Sequence, residues 1–233
     1  MQTILITGAN RGIGFELTRQ FLKDDSQIFA TCRNPERADD LNELARKHAD
    51  RVTVLQMDVN DKASIDGALE TVAGKTDALD LLINNAGIGG DERGRIMGQL
   101  TASEVSHVIE TNAVAPLIVT QAFRDLLKQG DNPRVVMISS GLGSLQRTSG
   151  TSYAYRMSKA AMNMAARVLA FDSAMSGITT VTMNPGWVQT DMGGPGASLK
   201  PEESGSALRA LINRLTPAEN GMFFQYDGSE LPW

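Results

Sequence analysis

The chain has 233 residues, 42% of them apolar, and a formal net charge of −5. That apolar content is ample for a sizeable core and excludes a disordered chain, while the acidic balance offers no overall basic surface for nucleic acid. A single cysteine, Cys32, excludes an intrachain disulfide and suits a reducing compartment, so a cytoplasmic protein is expected.

Thr3-Ile4-Leu5-Ile6-Thr7 is a continuous, β-branched run of the kind that is buried on both faces of a parallel sheet. Gly8-Ala9-Asn10-Arg11-Gly12-Ile13-Gly14 follows at once, and Phe15 to Lys23 has helical character. Strand, glycine turn and helix together form the setting in which backbone N–H groups at a helix N-terminus bind phosphate. The turn reads Gly-x-x-x-Gly-x-Gly, and its glycines permit both the tight bend and a close approach to a pyrophosphate. The plain alternative is an ordinary strand–helix turn.

Gln27 to Cys32 reads as a second strand, and Pro35 starts a charged helix to about His48. Arg51 to Met57 is a third strand ending at Asp58. This carboxylate could accept from an adenine amino group or cap the next helix, Asp61 to Gly74. Ala78 to Ile83 is a fourth strand running into Asn84-Asn85-Ala86-Gly87, and a glycine-rich loop reaches about Gln99. Thr101 to Glu104 has capping-box spacing, and Pro116 should kink or restart the helix that follows. Arg134 to Ser139 is a fifth strand, and Gly141 to Ser152 a polar connection.

A helix is expected from Tyr155 to Met175. It sets Tyr155 and Lys159 four residues apart on one face. A tyrosine titrates near 10, and a neighbouring positive charge lowers that value toward the range useful for acid–base work. Ile178 to Met183, a helix from Pro201 to Asn213 and a strand from Gly221 to Gln225 complete the pattern. Gly193-Gly194-Pro195-Gly196 suits a mobile loop. Trp187 is assigned to the core ahead of the substrate pocket, and Trp233 to a loosely docked tail.

Strands alternate with helices throughout, which predicts one α/β domain over residues 1–233, doubly wound, three-layered and Rossmann-type, with a mostly parallel sheet of about seven strands. In such a sheet ligands sit outside the carboxyl ends of the strands. Asp58, Asn85, Ser139, Ser140 and Pro185 to Thr190 all fall there. His48 and His107 stand apart without a ligand cluster, so no metal site is expected. Neither a secretory leader nor a membrane span is evident.

The motifs together resemble the short-chain dehydrogenase/reductase family over nearly the whole chain. They are Thr7-Gly8-x-x-x-Gly12-Ile13-Gly14, Asn84-Asn85-Ala86-Gly87, Asn112, Ser139-Ser140, Tyr155-x-x-x-Lys159 and Pro185-Gly186. The pieces around Tyr153 to Lys159, Pro185 to Gly194 and Asp227 to Trp233 are similar to the carbonyl reductases of the sniffer and C-factor group. The resemblance implies reversible hydride transfer between NADP(H) and a small-molecule aldehyde or ketone. It also implies a catalytic tetrad of Asn112, Ser140, Tyr155 and Lys159, with Ser139 as the alternative serine. Tyr153 would fit the family's usual serine-to-tyrosine spacing better, but Met157 four residues on supplies no charge, so Tyr155 is preferred. Cofactor contacts are expected from Gly8, Asn10, Arg11, Gly12, Ile13, Gly14, Arg33, Asp58, Val59, Asn85, Ala86, Gly87, Tyr155, Lys159, Pro185, Gly186, Val188 and Thr190, with a mobile substrate loop near 190–200. The second strand ends Ala30-Thr31-Cys32 without a carboxylate, whereas Arg11 and Arg33 fall near the adenosine ribose, which favours NADP(H). The rival reading is a dinucleotide-binding signalling protein on the same fold. No nucleic-acid or membrane partner is expected; a homodimer or a homotetramer is allowed.

Overall fold

The apolar runs become seven short strands joined by helices. The computed structural model describes residues 1–90 and 96–233. In chain order the elements are β1 (Gln2–Thr7), α1 (Gly12–Phe21), β2 (Ser26–Cys32), α2 (Asp39–Lys47), β3 (Val52–Gln56), α3 (Lys62–Ala73), β4 (Leu81–Asn84), α4 (Ala102–Ile109), α5 (Ala115–Leu127), β5 (Arg134–Ile138), α6 (Tyr153–Phe171), β6 (Thr179–Asn184), α7 (Pro201–Asn213) and β7 (Phe223–Gln225). The strands form one sheet in the order β3-β2-β1-β4-β5-β6-β7. Every pairing between neighbours is parallel, so the expected mostly parallel sheet is wholly so.

The layers follow from strand alternation, because successive side chains point to opposite faces. Ile4 and Ile6 of β1, Ile83 of β4 and Val136 of β5 pack with Leu17 and Phe21 of α1 and with Leu208 and Ile212 of α7. Leu5, Leu82, Val135 and Met137 face the other way, against Val119 and Phe123 of α5 and Met162 of α6. The result is the expected three-layer Rossmann-type arrangement. The sheet grows outward from β1 to β3, then resumes on the other side of β1 with β4. The helices that follow β1 and β4 therefore diverge, leaving a crevice at the carboxyl ends of these strands.

Several boundaries differ from the sequence expectation. The second half of the glycine turn is itself the first turn of α1. Pro35 opens only a 3₁₀ turn, Pro35–Arg37, and α2 starts at Asp39. The Tyr155 helix starts two residues early, at Tyr153, and stops at Phe171. Beyond it the Asp172 carboxylate accepts from the Ala174 N–H at 2.8 Å and opens a separate 3₁₀ turn, Ser173–Met175. A π-helical turn, Glu110–Val114, joins α4 to α5, and Pro116 sits in the first turn of α5, where a missing N–H costs little. The glycine-rich loop expected up to Gln99 falls in part, at 91–95, outside the described residues. Among the described residues no helix is long and apolar enough to cross a membrane.

Candidate active site

A cleft of about 730 Å³ lies at the switch point, lined by the ends of β1, β2, β4 and β6. Its floor is the glycine turn. Gly8 and Gly12 have φ of +65° and +55°, a left-handed backbone that favours glycine. A Cβ on Gly8 would lie 2.9 Å from Ala86 Cα, and one on Gly14 would run into the Gly8 carbonyl and the Asn85 amide. The turn is held from β4: Asn85 Nδ2 donates to the carbonyls of Thr7 (2.9 Å) and Gly8 (3.1 Å), while Thr7 Oγ1 accepts from the N–H groups of Asn85 and Ala86. Asn85 therefore clamps the cradle. Arg11, at the N-cap of α1, makes no side-chain cap, so the first N–H groups of the helix suit a ligand at the cleft.

Gly8, Asn10, Arg11, Gly12, Ile13, Arg33, Asp58, Val59, Asn85, Ala86, Gly87, Pro185 and Thr190 line this cleft, as do Tyr155 and Lys159. Gly14 lies behind it, packed on Gly8. Gly186 and Val188 line a second cavity instead, of about 510 Å³, that opens beside the first. Its wall includes Ile13, Leu142, Trp187 and Met192, and none of the described residues lining it is Asp, Glu, Lys, Arg or His. Tyr155 lines both spaces; Tyr153 lines neither.

Three elements bring the expected tetrad together: the π-helical turn with Asn112, the segment after β5 with Ser140, and α6 with Tyr155 and Lys159. The Ser140 hydroxyl is in hydrogen-bond contact with the Tyr155 phenol and accepts from the Leu142 N–H. Ser139 also lines both cavities, but its hydroxyl donates at 2.6 Å to Asn163 Oδ1. Lys159 Nζ donates to the Ile138 carbonyl at 2.8 Å and stands 5.7 Å from the Tyr155 ring centre. Asn112, in the π-helical turn, is fully buried. Its Oδ1 accepts from the Ile88 N–H, and its Nδ2 donates to the Ile88 carbonyl and to Ser158 Oγ. Gly87 lets Asn112 and Lys159 approach: a Cβ there would lie 3.0 Å from Asn112 Oδ1 and 3.7 Å from Lys159 Nζ.

The sequence profile of the short chain dehydrogenase family matches residues 2–198. The chain belongs to the short-chain dehydrogenase/reductase family of oxidoreductases. The C-signal of Myxococcus xanthus is 44% identical over 159 residues, which are 68% of this chain and 95% of that protein. Among solved structures, the carbonyl reductase Sniffer of D. melanogaster is 35% identical with a TM-score of 0.93 over all of both chains. An NADPH-bound carbonyl reductase from chicken fatty liver is also 35% identical with a TM-score of 0.93, over 100% of this chain and 99% of that one. The resemblance to the sniffer and C-factor group is thereby borne out.

The electrostatics of this dehydrogenase site depart from the sequence expectation. Burial pushes the Tyr155 phenol up to about 12, and the Ser140 hydrogen bond only partly opposes it. Burial likewise brings Lys159 down to about 8. Desolvation outweighs the expected charge effect because the ammonium bonds to Ile138 rather than to the phenol. Arg11, expected near the adenosine ribose, pairs with Asp191 at 2.6 Å across the mouth of the cleft. Arg33 is exposed at the cleft and forms no ion pair among the described residues. Asp58 Oδ1 accepts from the Asn60 N–H at 3.0 Å, a local turn contact.

Two tryptophans also correct the expectation. Trp187 is 59% exposed and walls the second cavity, its Nε1 donating to the Gly193 carbonyl at 2.8 Å. Trp233 is docked: its ring stacks on Phe223 with centroids 5.3 Å apart, and the Arg167 guanidinium lies 5.5 Å from its centre. Sequence reasoning missed Asn163. Its place four residues after Lys159 was the available signal.

Proposed function

We propose that this chain catalyses the NADPH-dependent reduction of an aldehyde or ketone to its alcohol. The observation that carries the reading is Tyr155, the tyrosine that stands where a dinucleotide-sized cleft meets an apolar cavity with no formally charged side chain among its described lining residues. The residues present fit NADP(H). The left-handed glycines and the uncapped start of α1 suit a pyrophosphate. The exposed guanidinium of Arg33 at the cleft, beside a β2 end that offers no carboxylate, suits a 2′-phosphate.

When bound, NADPH supplies the hydride to the carbonyl carbon. The chain's residues do the rest. Tyr155 gives its proton to the carbonyl oxygen, and Ser140 donates a hydrogen bond to that oxygen. A phenol held near 12 is protonated throughout the neutral range, which suits reduction more than oxidation. Lys159 holds the nicotinamide ribose, and Asn112 fixes the wall against which Lys159 lies. The described lining of the cavity beside Tyr155, apolar and without charge, suits an apolar, uncharged carbonyl compound. On this reading residues 1–233 act as one domain in the cytoplasm, with the segment near 190–200 as its cover.

A second reading is kept because of the 44% identity to the C-signal: a dinucleotide-binding signalling protein on the same fold. A panel of aldehydes and ketones, followed by the fall in NADPH absorbance, separates the two. Turnover of an apolar carbonyl that Tyr155→Phe abolishes supports the reductase. NADPH binding with no turnover across the panel favours the second reading.

A further inference from the structure

α6 carries a third polar residue on the face of Tyr155 and Lys159. Asn163 lies one turn beyond Lys159 and is 3% exposed. Its Oδ1 accepts from Ser139 Oγ at 2.6 Å, and its Nδ2 donates to the Gly143 carbonyl at 3.3 Å. These two bonds grip the chain on either side of Ser140. Gly143 is pressed against the same helix: a Cβ there would lie 2.8 Å from the main-chain carbon of Lys159. Ser140 itself makes no bond to the body of α6 other than the one to the Tyr155 phenol; its hydroxyl also accepts from the Leu142 N–H and its carbonyl from the Gly143 N–H, both within its own segment.

We propose that Asn163, with Ser139 as its partner, is a positioning residue that fixes the Ser140 hydroxyl against the Tyr155 phenol. The role attributed to that contact in catalysis rests on the reductase reading above; the contact itself does not. One rigid helix then carries the phenol and also holds the segment that bears its hydrogen-bonding serine. The Ser140–Tyr155 separation is thus set within a single element and its grip, rather than by the free course of the loop after β5. A misplacement of about 1 Å in such an arrangement can cost on the order of a hundredfold in rate. Ser139 is accounted for in the same way: it lines both cavities, but its hydroxyl proton is given to Asn163.

The test uses two variants that change little volume, Asn163→Asp and Ser139→Ala. Asn163→Asp removes the donor to Gly143 and sets a carboxylate against that carbonyl. Ser139→Ala removes the donor to Asn163. The first readout is the absorbance titration of tyrosines in the ligand-free protein, with Tyr155→Phe identifying the Tyr155 component. The Ser140 hydrogen bond lowers the phenol's titration, so loosening Ser140 should move that component upward in both variants. The second readout is steady-state kinetics. kcat for carbonyl reduction should fall about ten- to a hundredfold, with NADPH affinity close to wild type in both variants and melting temperature close to wild type in Ser139→Ala, the buried carboxylate of Asn163→Asp lowering its own. Upward titration shifts support the grip even if wild type reduces no carbonyl, an outcome that would remove the reductase reading instead. Titration curves that coincide with wild type in both variants overturn the proposal. So does a loss of NADPH affinity that tracks the loss of melting temperature, because that marks a residue needed only for folding.

Discussion

The Lys159 ammonium stands 5.7 Å from the centre of the Tyr155 ring and gives its hydrogen bond to the main-chain carbonyl of Ile138. Four residues apart on α6, the two side chains share a face, but Gly87 and the end of β5 draw the lysine into the protein while the phenol opens on the cleft. Each group is then shifted away from its charged form by burial.

Tyr155→Phe removes one hydroxyl and should leave the fold and cofactor binding intact. Carbonyl reduction should fall on the order of 10²–10⁴-fold, the usual worth of a positioned general acid. Tyr153→Phe should change the rate far less, since Tyr153 lines neither space. Steady-state rates of the two variants decide it, and the reverse ranking would refute the assignment of Tyr155.

Lys159 makes stability depend on pH. Its value is about 8 in the folded protein against an ordinary 10.5. Between these values the unfolded chain binds the additional proton, so stability rises as pH rises from 8 toward 10. The full change approaches about 3 kcal/mol. Tyr155 acts in the opposite sense above pH 10, where the unfolded phenol ionises first. Urea unfolding of the ligand-free protein across this range should show the rise, and Lys159→Met should abolish it. An equal slope in the variant would assign the effect to other groups.

Arg33→Ala should weaken NADPH binding about ten- to a hundredfold, the loss of one charge-assisted hydrogen bond, and hardly affect NADH. Asp191→Asn should act the other way. The Arg11–Asp191 pair is 71% and 75% exposed, so its loss costs little stability. The freed Arg11 should tighten NADPH by about fivefold or less. Titration of both cofactors against both variants measures this. Weaker binding of NADPH and NADH alike in Asp191→Asn would show instead that the pair straps the cleft shut.

Trp233→Ala should destabilise the fold by about 2 kcal/mol, from the lost stack on Phe223 and the lost contact with Arg167. Its main-chain carbonyl, which accepts from the Gln146 N–H at 3.1 Å, is retained in the variant. Chemical denaturation reports the loss; an unchanged midpoint would restore the picture of a loose tail.

The sequence by itself determined the alternation of strands and helices, the place of the glycine turn and the residues that gather at the strand ends. These are local matters: a β-branched run such as Thr3 to Thr7 can be buried only as a sheet strand here, and Gly8 and Gly12 are demanded by the turn they make. Pro201 to Asn213 was legible to the residue because Pro201 starts α7 and its apolar positions repeat at helical spacing. What only the tertiary structure decided depends on neighbours distant in sequence. Ser140 rather than Ser139 meets Tyr155 because Asn163, 24 residues from Ser139, takes the Ser139 hydroxyl. Arg11 turns to Asp191, 180 residues away. The sign of the shifts on Tyr155 and Lys159 was set by burial, which is absent from any spacing rule. Spacing shows which side chains share a face; desolvation and the choice of hydrogen-bond partner depend on everything packed around them.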